Sequence, residues 1–345
     1  MTKTKFFFIL FFALSAQGLV IPSCEEGIKN FEGYSCVSNK DVGSGASAIV
    51  YKVLDPKGVE KLLKMQKMES KADREKVRKE VQILMKLKHP NIVRLFRTAY
   101  VGGIAFYILE FAKRGNLKNM PMLTDKKEAL KLFGQIVDAV NYMHKNNWVH
   151  GDLKAENIVI TEENKPLVID FDLSTNIGEI SEPRGSIPYM DTAMLMSDDS
   201  KVKMTTESDI YSLGVILYEL LHKKLPFKFD SIKGIKTKLN KGDYEIREGI
   251  DADIIQIIHE CLLRDPNKRM GLNGIKTMIE NALKNDKENK LNEPVILSNK
   301  DVLPARVSSI VSSSAESIHV SLPESSIVEG EAEKEQNKKS LNELI

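Results

Sequence analysis

Between residues 37 and about 113 the chain breaks into short β-branched and apolar runs set among polar residues, around one charged helical stretch. From 114 to about 283 the apolar positions recur mostly at helical steps. This pattern predicts a small β-rich lobe at 37–113 and a larger helical lobe at 114–283, an α+β architecture. Within the second lobe, Leu130, Phe133, Ile136, Val137 and Val140 fall three or four residues apart and mark a core-facing helix, with Thr124 expected to cap it and Asp125 in its first turn. From Lys284 onward the chain turns polar and rich in Ser, Glu, Lys and Asn, as at Ser308, Ser309, Ser312, Ser313 and Ser314. Such a segment buries too little apolar area to offset its ordering entropy, so 284–345 is expected to be a disordered tail.

The other end reads differently. Lys3 and Lys5 precede an apolar run from Phe6 to Ala13 that ends in small residues, the pattern of a secretory signal. Ala13-Leu14-Ser15 and Ala16-Gln17-Gly18 both suit cleavage, which is expected near residue 15 or 18. Residues 1–18 are then a signal peptide, 19–36 a short N-terminal segment, and the expected location is the secretory lumen or outside the cell. The alternative is an uncleaved anchor running on through Leu19, Val20 and Ile21, which Gln17 and Gly18 interrupt. No later stretch is apolar for long enough to cross a bilayer, so no stable membrane insertion is expected once the signal is removed. Cys24 and Cys36 can pair in an oxidising compartment, closing a loop worth about 3 kcal/mol in the chain-entropy treatment, or remain thiols. The chain has no Asn-x-Ser/Thr sequon.

Composition narrows the function classes. With 345 residues of which 42% are hydrophobic, the chain can bury a full core. Its 50 Lys and Arg against 48 Asp and Glu leave a net charge of +2, too balanced for binding driven by nucleic-acid phosphates. Its 3 cysteines are too few for an all-cysteine zinc site.

Three segments carry candidate chemistry. Gly43-Ser44-Gly45-Ala46-Ser47-Ala48-Ile49-Val50 has two glycines whose amides can approach phosphate oxygens, although a plain hairpin turn would look the same. His150-Gly151-Asp152-Leu153-Lys154-Ala155-Glu156-Asn157 follows the helix and precedes the apolar run Ile158-Val159-Ile160. On such a loop Asp152 can accept a hydroxyl proton while Asn157 holds a metal ion. The run Leu167-Val168-Ile169 then delivers Asp170-Phe171-Asp172, and a carboxylate at the end of a buried strand is costly unless paired or metal-bound. Asp170 and Asn157 together can share Mg2+.

These segments, in this order, resemble the eukaryotic-type protein kinases over about residues 40–283. Supporting matches are Glu80 ahead of His89-Pro90-Asn91-Ile92, the run Ser208-Asp209-Ile210-Tyr211-Ser212-Leu213-Gly214, and Cys261-Leu262-Leu263-Arg264-Asp265-Pro266 followed by Arg269. The resemblance implies a bilobal kinase fold with a small β-rich N-lobe and a helical C-lobe, using ATP and Mg2+ on a protein substrate. It implies that Lys64 holds the α- and β-phosphates and pairs with Glu80, with Lys61 and Lys67 as competitors for that place. Gly43, Ser44, Gly45 and Val50 would cover the nucleotide. In Phe106-Tyr107-Ile108-Leu109-Glu110-Phe111-Ala112, Leu109 would line the rear pocket, and backbone groups of Glu110 and Ala112 would read adenine. Asp152 and Lys154 would act on the transferring group, with Lys154 resembling the Ser/Thr-directed pattern. Ser186, in Gly185-Ser186-Ile187-Pro188-Tyr189, would cradle the acceptor. His150 reads as a core hydrogen-bonding residue and Cys261 as a buried small side chain.

Four departures stand against the family pattern. Gly151 replaces the arginine that receives a phosphorylated activation segment, so loop phosphorylation is not expected as the on-switch. Asp172 replaces a glycine and adds negative charge near the metal. Asp191-Thr192-Ala193 stands where Ala-Pro-Glu is usual, so Arg269 is expected to need another carboxylate or to be exposed. Leu62 replaces a small residue and is expected to crowd adenine. The alternative to an enzyme is therefore a pseudokinase that binds nucleotide or serves as a scaffold. The substrate's identity and the oligomeric state are open at this level.

Overall fold

A computed structural model describes residues 19–44, 47–197, 199–228, 231–241, 243–289 and 318–321. The expected signal peptide, Gly45 and most of the expected tail lie outside the described residues.

The N-terminal part is a six-stranded antiparallel sheet. Its strands are β1 (Ser35–Cys36), β2 (Gly43–Ser44), β3 (Ala48–Leu54), β4 (Glu60–Lys67), β5 (Leu95–Val101) and β6 (Ile104–Glu110). They lie in the order β1-β3-β4-β6-β5, with β2 also on β3. The register sets Val50 opposite Lys64 and Lys64 opposite Tyr107, with Leu62 opposite both Lys52 and Leu109. Because side chains alternate across a strand, these residues share one face, and Tyr51, Val53, Leu63, Met65, Phe106 and Ile108 share the other.

Both faces are covered. The short helix α1 (Cys24–Ile28) adds Cys24 and Ile28, and Phe31 follows, to the apolar cluster on the outer face. A disulfide ties Cys24 to Cys36 on β1, so the segment ahead of the sheet is stapled to it across 12 residues of sequence. Reduction should lower stability by about 3 kcal/mol. Thermal melting with and without a strong thiol reductant checks this, and Cys24→Ser should reproduce the drop without reductant.

On the inner face α2 (Lys71–Lys86) packs Val77 and Val81 against Ala105 and Tyr107. Its start is defined by Ser70, whose Oγ accepts from the Asp73 amide at 3.0 Å, while Asp73 Oδ2 accepts from the Ser70 amide at 2.8 Å. Its other end, with Ile83 and Leu84, joins the main core of the helical part, so α2 bridges the two halves. The Asn91 and Val168 backbones also exchange a bond of 2.8 Å across them.

The second part is built on α3 (Lys126–Lys145), α5 (Thr206–His222), α7 (Ala252–Leu262) and α8 (Leu272–Asn289). The smaller elements are α4 (Thr192–Met196) and α6 (Ile232–Lys241) among the helices. The short strands are β7 (Trp148–Val149), β8 (Ile158–Ile160), β9 (Pro166–Val168), β10 (Thr175–Asn176), β11 (Ile180–Ser181), β12 (Val202–Lys203) and β13 (Asp243–Ile246). The expected helix is α3, and Leu130, Phe133, Ile136, Val137 and Val140 are fully buried. Its cap lies one residue later than the sequence suggested. Asp125, rather than Thr124, accepts from the Glu128 amide at 2.7 Å, because the first turn begins at Lys126.

Helix α5 is the central rod, buried from Ser208 to Leu221. It reaches α7 closely at Gly214, where a Cβ would lie 2.6 Å from Cys261 Cβ, so glycine is required by contact. Cys261 is accordingly packing material, and burial pushes its thiol up to about 12.

The segment read as tail differs at two places. Helix α8 continues through Asn289, past the expected boundary at 284. Residues Ile318–Ser321 form a strand, β14, paired antiparallel with β13. No helix among the described residues is long and apolar enough to cross a membrane.

Candidate active site

Lys64 leaves the inner face of β4 and meets Glu80 of α2, with Nζ 2.8 Å from Oε1. Its competitors are engaged elsewhere, Lys61 with Asp55 at 3.3 Å and Lys67 with Glu69 at 3.5 Å. Burial alone would drive the Lys64 ammonium toward neutrality, but the carboxylates of Glu80, Asp172 and Asp170 outweigh it and hold the charge above the usual lysine range. Burial pushes Glu80 upward, with the Asp172 carboxylate adding to the effect and Lys64 opposing it.

The loop between β7 and β8 is hung from α5. Asp209, in the first turn of that helix, accepts from the His150 amide at 2.8 Å, the Gly151 amide at 3.0 Å and His144 Nε2 at 2.8 Å. Burial opposes its charge, yet His144 and these donors hold the carboxyl below the ordinary aspartate range. His150 is fully buried, and its Nδ1 accepts from the Asp152 amide at 3.3 Å while Nε2–H donates to the Ile169 carbonyl at 3.1 Å. The two bonds define one neutral tautomer and tie the loop to the segment before Asp170. Gly151 has φ of +78°, and a Cβ there would stand 2.9 Å from the Leu173 carbonyl oxygen, so the turn itself favours glycine.

This anchoring aims Asp152 at the mouth of the site. Its Oδ1 accepts from the Ser186 amide at 2.7 Å, and its Oδ2 accepts from Lys154 Nζ at 2.6 Å and Asn157 Nδ2 at 3.3 Å. Lys154 Nζ also donates to Ser186 Oγ at 2.9 Å. A carboxylate, an ammonium and a hydroxyl side chain thus converge from two segments 32 residues apart. Asn157 donates its Nδ2 to the Asp152 carbonyl at 2.9 Å, which leaves its side-chain oxygen as the group for a cation. The Ile169 amide donates to the Asn157 carbonyl at 3.0 Å and brings Asp170 alongside. Asp170 has φ of +65°, an uncommon conformation for a residue with a side chain. An amide oxygen and a carboxylate are hard donors, and this pair suits Mg2+.

Gly43 and Ser44 pair antiparallel with Val50 and Ile49, and Gly45 lies outside the described residues. At the far end of β6, Leu109 shares the inner face with Leu62, the Glu110 amide donates to the Arg94 carbonyl at 2.9 Å, and Ala112 is buried. Leu62 therefore lies on the face where the sequence placed adenine.

The segment carrying Ser186 is fixed from below. Ser212 Oγ donates to the Tyr189 carbonyl at 2.8 Å, and the Tyr189 hydroxyl donates to Glu219. Of the two outcomes expected for Arg269, another carboxylate or exposure, the structure shows the first. Asp191 accepts from Arg269 through both oxygens, at 2.7 Å each, and the guanidinium also donates to the carbonyls of Leu263 and Glu207. The missing glutamate is replaced by an aspartate two positions earlier, which the same α4 turn brings into reach. His144 and Arg184 were not singled out by sequence reasoning. The first shows no spacing signal, while Arg184 lines the cavity beside Asp152 and Ser186 with Nε and Nη2 buried and unpartnered among the described residues.

Comparison with known proteins agrees with this geometry. The protein kinase domain family matches residues 36–284. The chain is 31% identical over 214 residues to a probable serine/threonine-protein kinase KIN1 homolog of Encephalitozoon cuniculi, covering 60% of this chain and 37% of that one. It is 29% identical over 211 residues to a maternal embryonic leucine zipper kinase of Xenopus tropicalis, with 58% and 31% covered. It is 30% identical over 222 residues to the serine/threonine protein kinase OSK3 of Oryza sativa subsp. indica, with 63% and 43% covered. The chain thus spans less than half the length of these relatives.

Proposed function

We propose that this chain, which belongs to the protein kinase family, transfers the γ-phosphoryl group of ATP to serine or threonine hydroxyls of a protein. The observation that carries the reading is the bonded set of Asp152, Lys154, Asn157 and Ser186. Bound Mg2+ and ATP supply the transferred group and neutralise part of its charge, with Asn157 and Asp170 as the metal's protein ligands. The protein's own residues do the positioning. Lys64, held by Glu80, takes the α- and β-phosphates, the amides of Gly43, Ser44 and Gly45 cover them, and Val50 covers the base. Backbone groups of Glu110 and Ala112 read the adenine edge. Asp152 accepts the acceptor hydroxyl's proton as its oxygen attacks, and Lys154 offsets the charge that builds on the transferring group.

A peptide array containing serine, threonine and tyrosine acceptors tests this with Mg2+–ATP. Labelling of serine or threonine peptides is the expected result. The rival is a nucleotide-binding or scaffolding pseudokinase. It predicts no transfer above background.

The same reading places the protein in the secretory pathway or beyond. The signal-like pattern of residues 1–18 and the Cys24–Cys36 bridge support it, since disulfides persist in oxidising compartments. Protein recovered from the medium of secreting cells should begin near residue 16 or 19 on N-terminal sequencing. A chain that keeps Phe6–Ala13 would contradict it.

A further inference from the structure

We propose that Asp172 is a second anchor of the Lys64 ammonium, shared with Glu80, and that it positions the lysine for nucleotide. The proposal rests on the reading of Lys64 as the phosphate-binding lysine. Asp172 stands where the family resemblance expects glycine, yet its backbone is not left-handed; in this motif the positive φ falls on Asp170. The aspartate therefore fits without strain, and its side chain has a role of its own to explain.

Asp172 Oδ1 lies 3.8 Å from Lys64 Nζ, on an ammonium that Glu80 Oε1 holds at 2.8 Å. At that distance the Asp172 contact is an ion pair rather than a hydrogen bond. Among the described residues, Asp172 Oδ1 and Glu80 Oε2 are both buried and accept no hydrogen bond. Two carboxylates packed together in this way repel, and the single ammonium between them compensates both. Tyr107 closes the site from β6, its ring 5.3 Å from Lys64 Nζ. An ammonium held from two sides keeps its place when one side is weakened. Glu80 should therefore be less essential here than a sole anchor would be.

Two cycles test this. Thermal melting of the nucleotide-free protein compares Asp172→Asn in the wild-type and Lys64→Met backgrounds. Asp172→Asn is expected to raise the melting temperature when Lys64 is gone, because it removes a carboxylate left beside Glu80 without a cation. It is expected to lower the melting temperature, or leave it in place, when Lys64 is present. The same shift in both backgrounds would overturn the anchor.

The second cycle reads kcat/KM for ATP. Asp172→Asn should cost about tenfold more in the Glu80→Gln background than alone, the loss appearing chiefly in the ATP KM. Multiplicative single effects would refute the shared role while leaving phosphoryl transfer itself in place. An inactive wild-type protein would defeat the kinase reading, and the melting cycle would still decide whether Asp172 anchors Lys64.

Discussion

Asp152→Asn should reduce phosphoryl transfer by about 10²- to 10⁴-fold, the range expected when a positioned general base is lost. The argument is geometric. Asp152 receives the Ser186 amide on one oxygen and the Lys154 ammonium on the other. An asparagine can keep only one of these acceptors, so it either releases the acceptor segment or turns an amide NH2 toward Lys154. In both cases the group meant to take the hydroxyl proton is gone. The loop should keep its shape, because it is hung from Asp209 and braced by His150 rather than by Asp152. The check is a transfer assay paired with melting curves. A variant that melts with the wild type but does not transfer supports the assignment. Transfer at the wild-type rate would remove Asp152 from the chemistry and with it the proposed mechanism.

How much of this was legible beforehand depends on how local the signal is. Asp152 and Asn157 sit within one loop, and the apolar runs before Asp170 and after Asn157 announce the strands that place them, so spacing pointed to these three, while Lys154 entered through the family resemblance. The disulfide was readable as a possibility and no more, since whether Cys24 reaches Cys36 depends on α1 settling on the outer face of the sheet. The anchors were hidden for the same physical reason. Asp209 reaches the loop amides across 59 and 58 residues, and His144 reaches Asp209 across 65. Neither contact leaves a periodicity or composition signal, and both exist only once α3 and α5 have packed. The helix cap at Asp125 instead of Thr124 is a smaller case. Both residues have the capping chemistry, and the turn geometry alone selects between them.

The sequence left open which carboxylate, if any, serves Arg269, and the ion pair that Asp191 forms with it carries the largest expected effect on stability. Both side chains are almost wholly enclosed, at 3% and 0% exposure. The guanidinium donates to two carboxylate oxygens and to backbone carbonyls, and it lies 5.1 Å from the Tyr211 ring centre. Asp191→Ala would leave that charge buried with its carbonyl partners alone, and should destabilise the protein by about 3 to 5 kcal/mol. Denaturant unfolding measures this directly. Replacing both partners, Asp191→Leu with Arg269→Met, should recover a large part of the loss, because the cost arises from a stranded charge rather than from the absence of a pair. A single substitution costing under about 1 kcal/mol would place the pair among weak surface bridges and contradict its burial. Activity should fall further than stability does. Asp191 also caps α4 through the Ala193 amide at 2.9 Å, directly after the Ile187–Tyr189 turn that follows Ser186, the residue that the family resemblance assigns to the acceptor. Below its melting temperature, Asp191→Ala should therefore show a raised KM for the protein substrate with the ATP KM little moved, since the disturbed segment faces the acceptor and not the nucleotide.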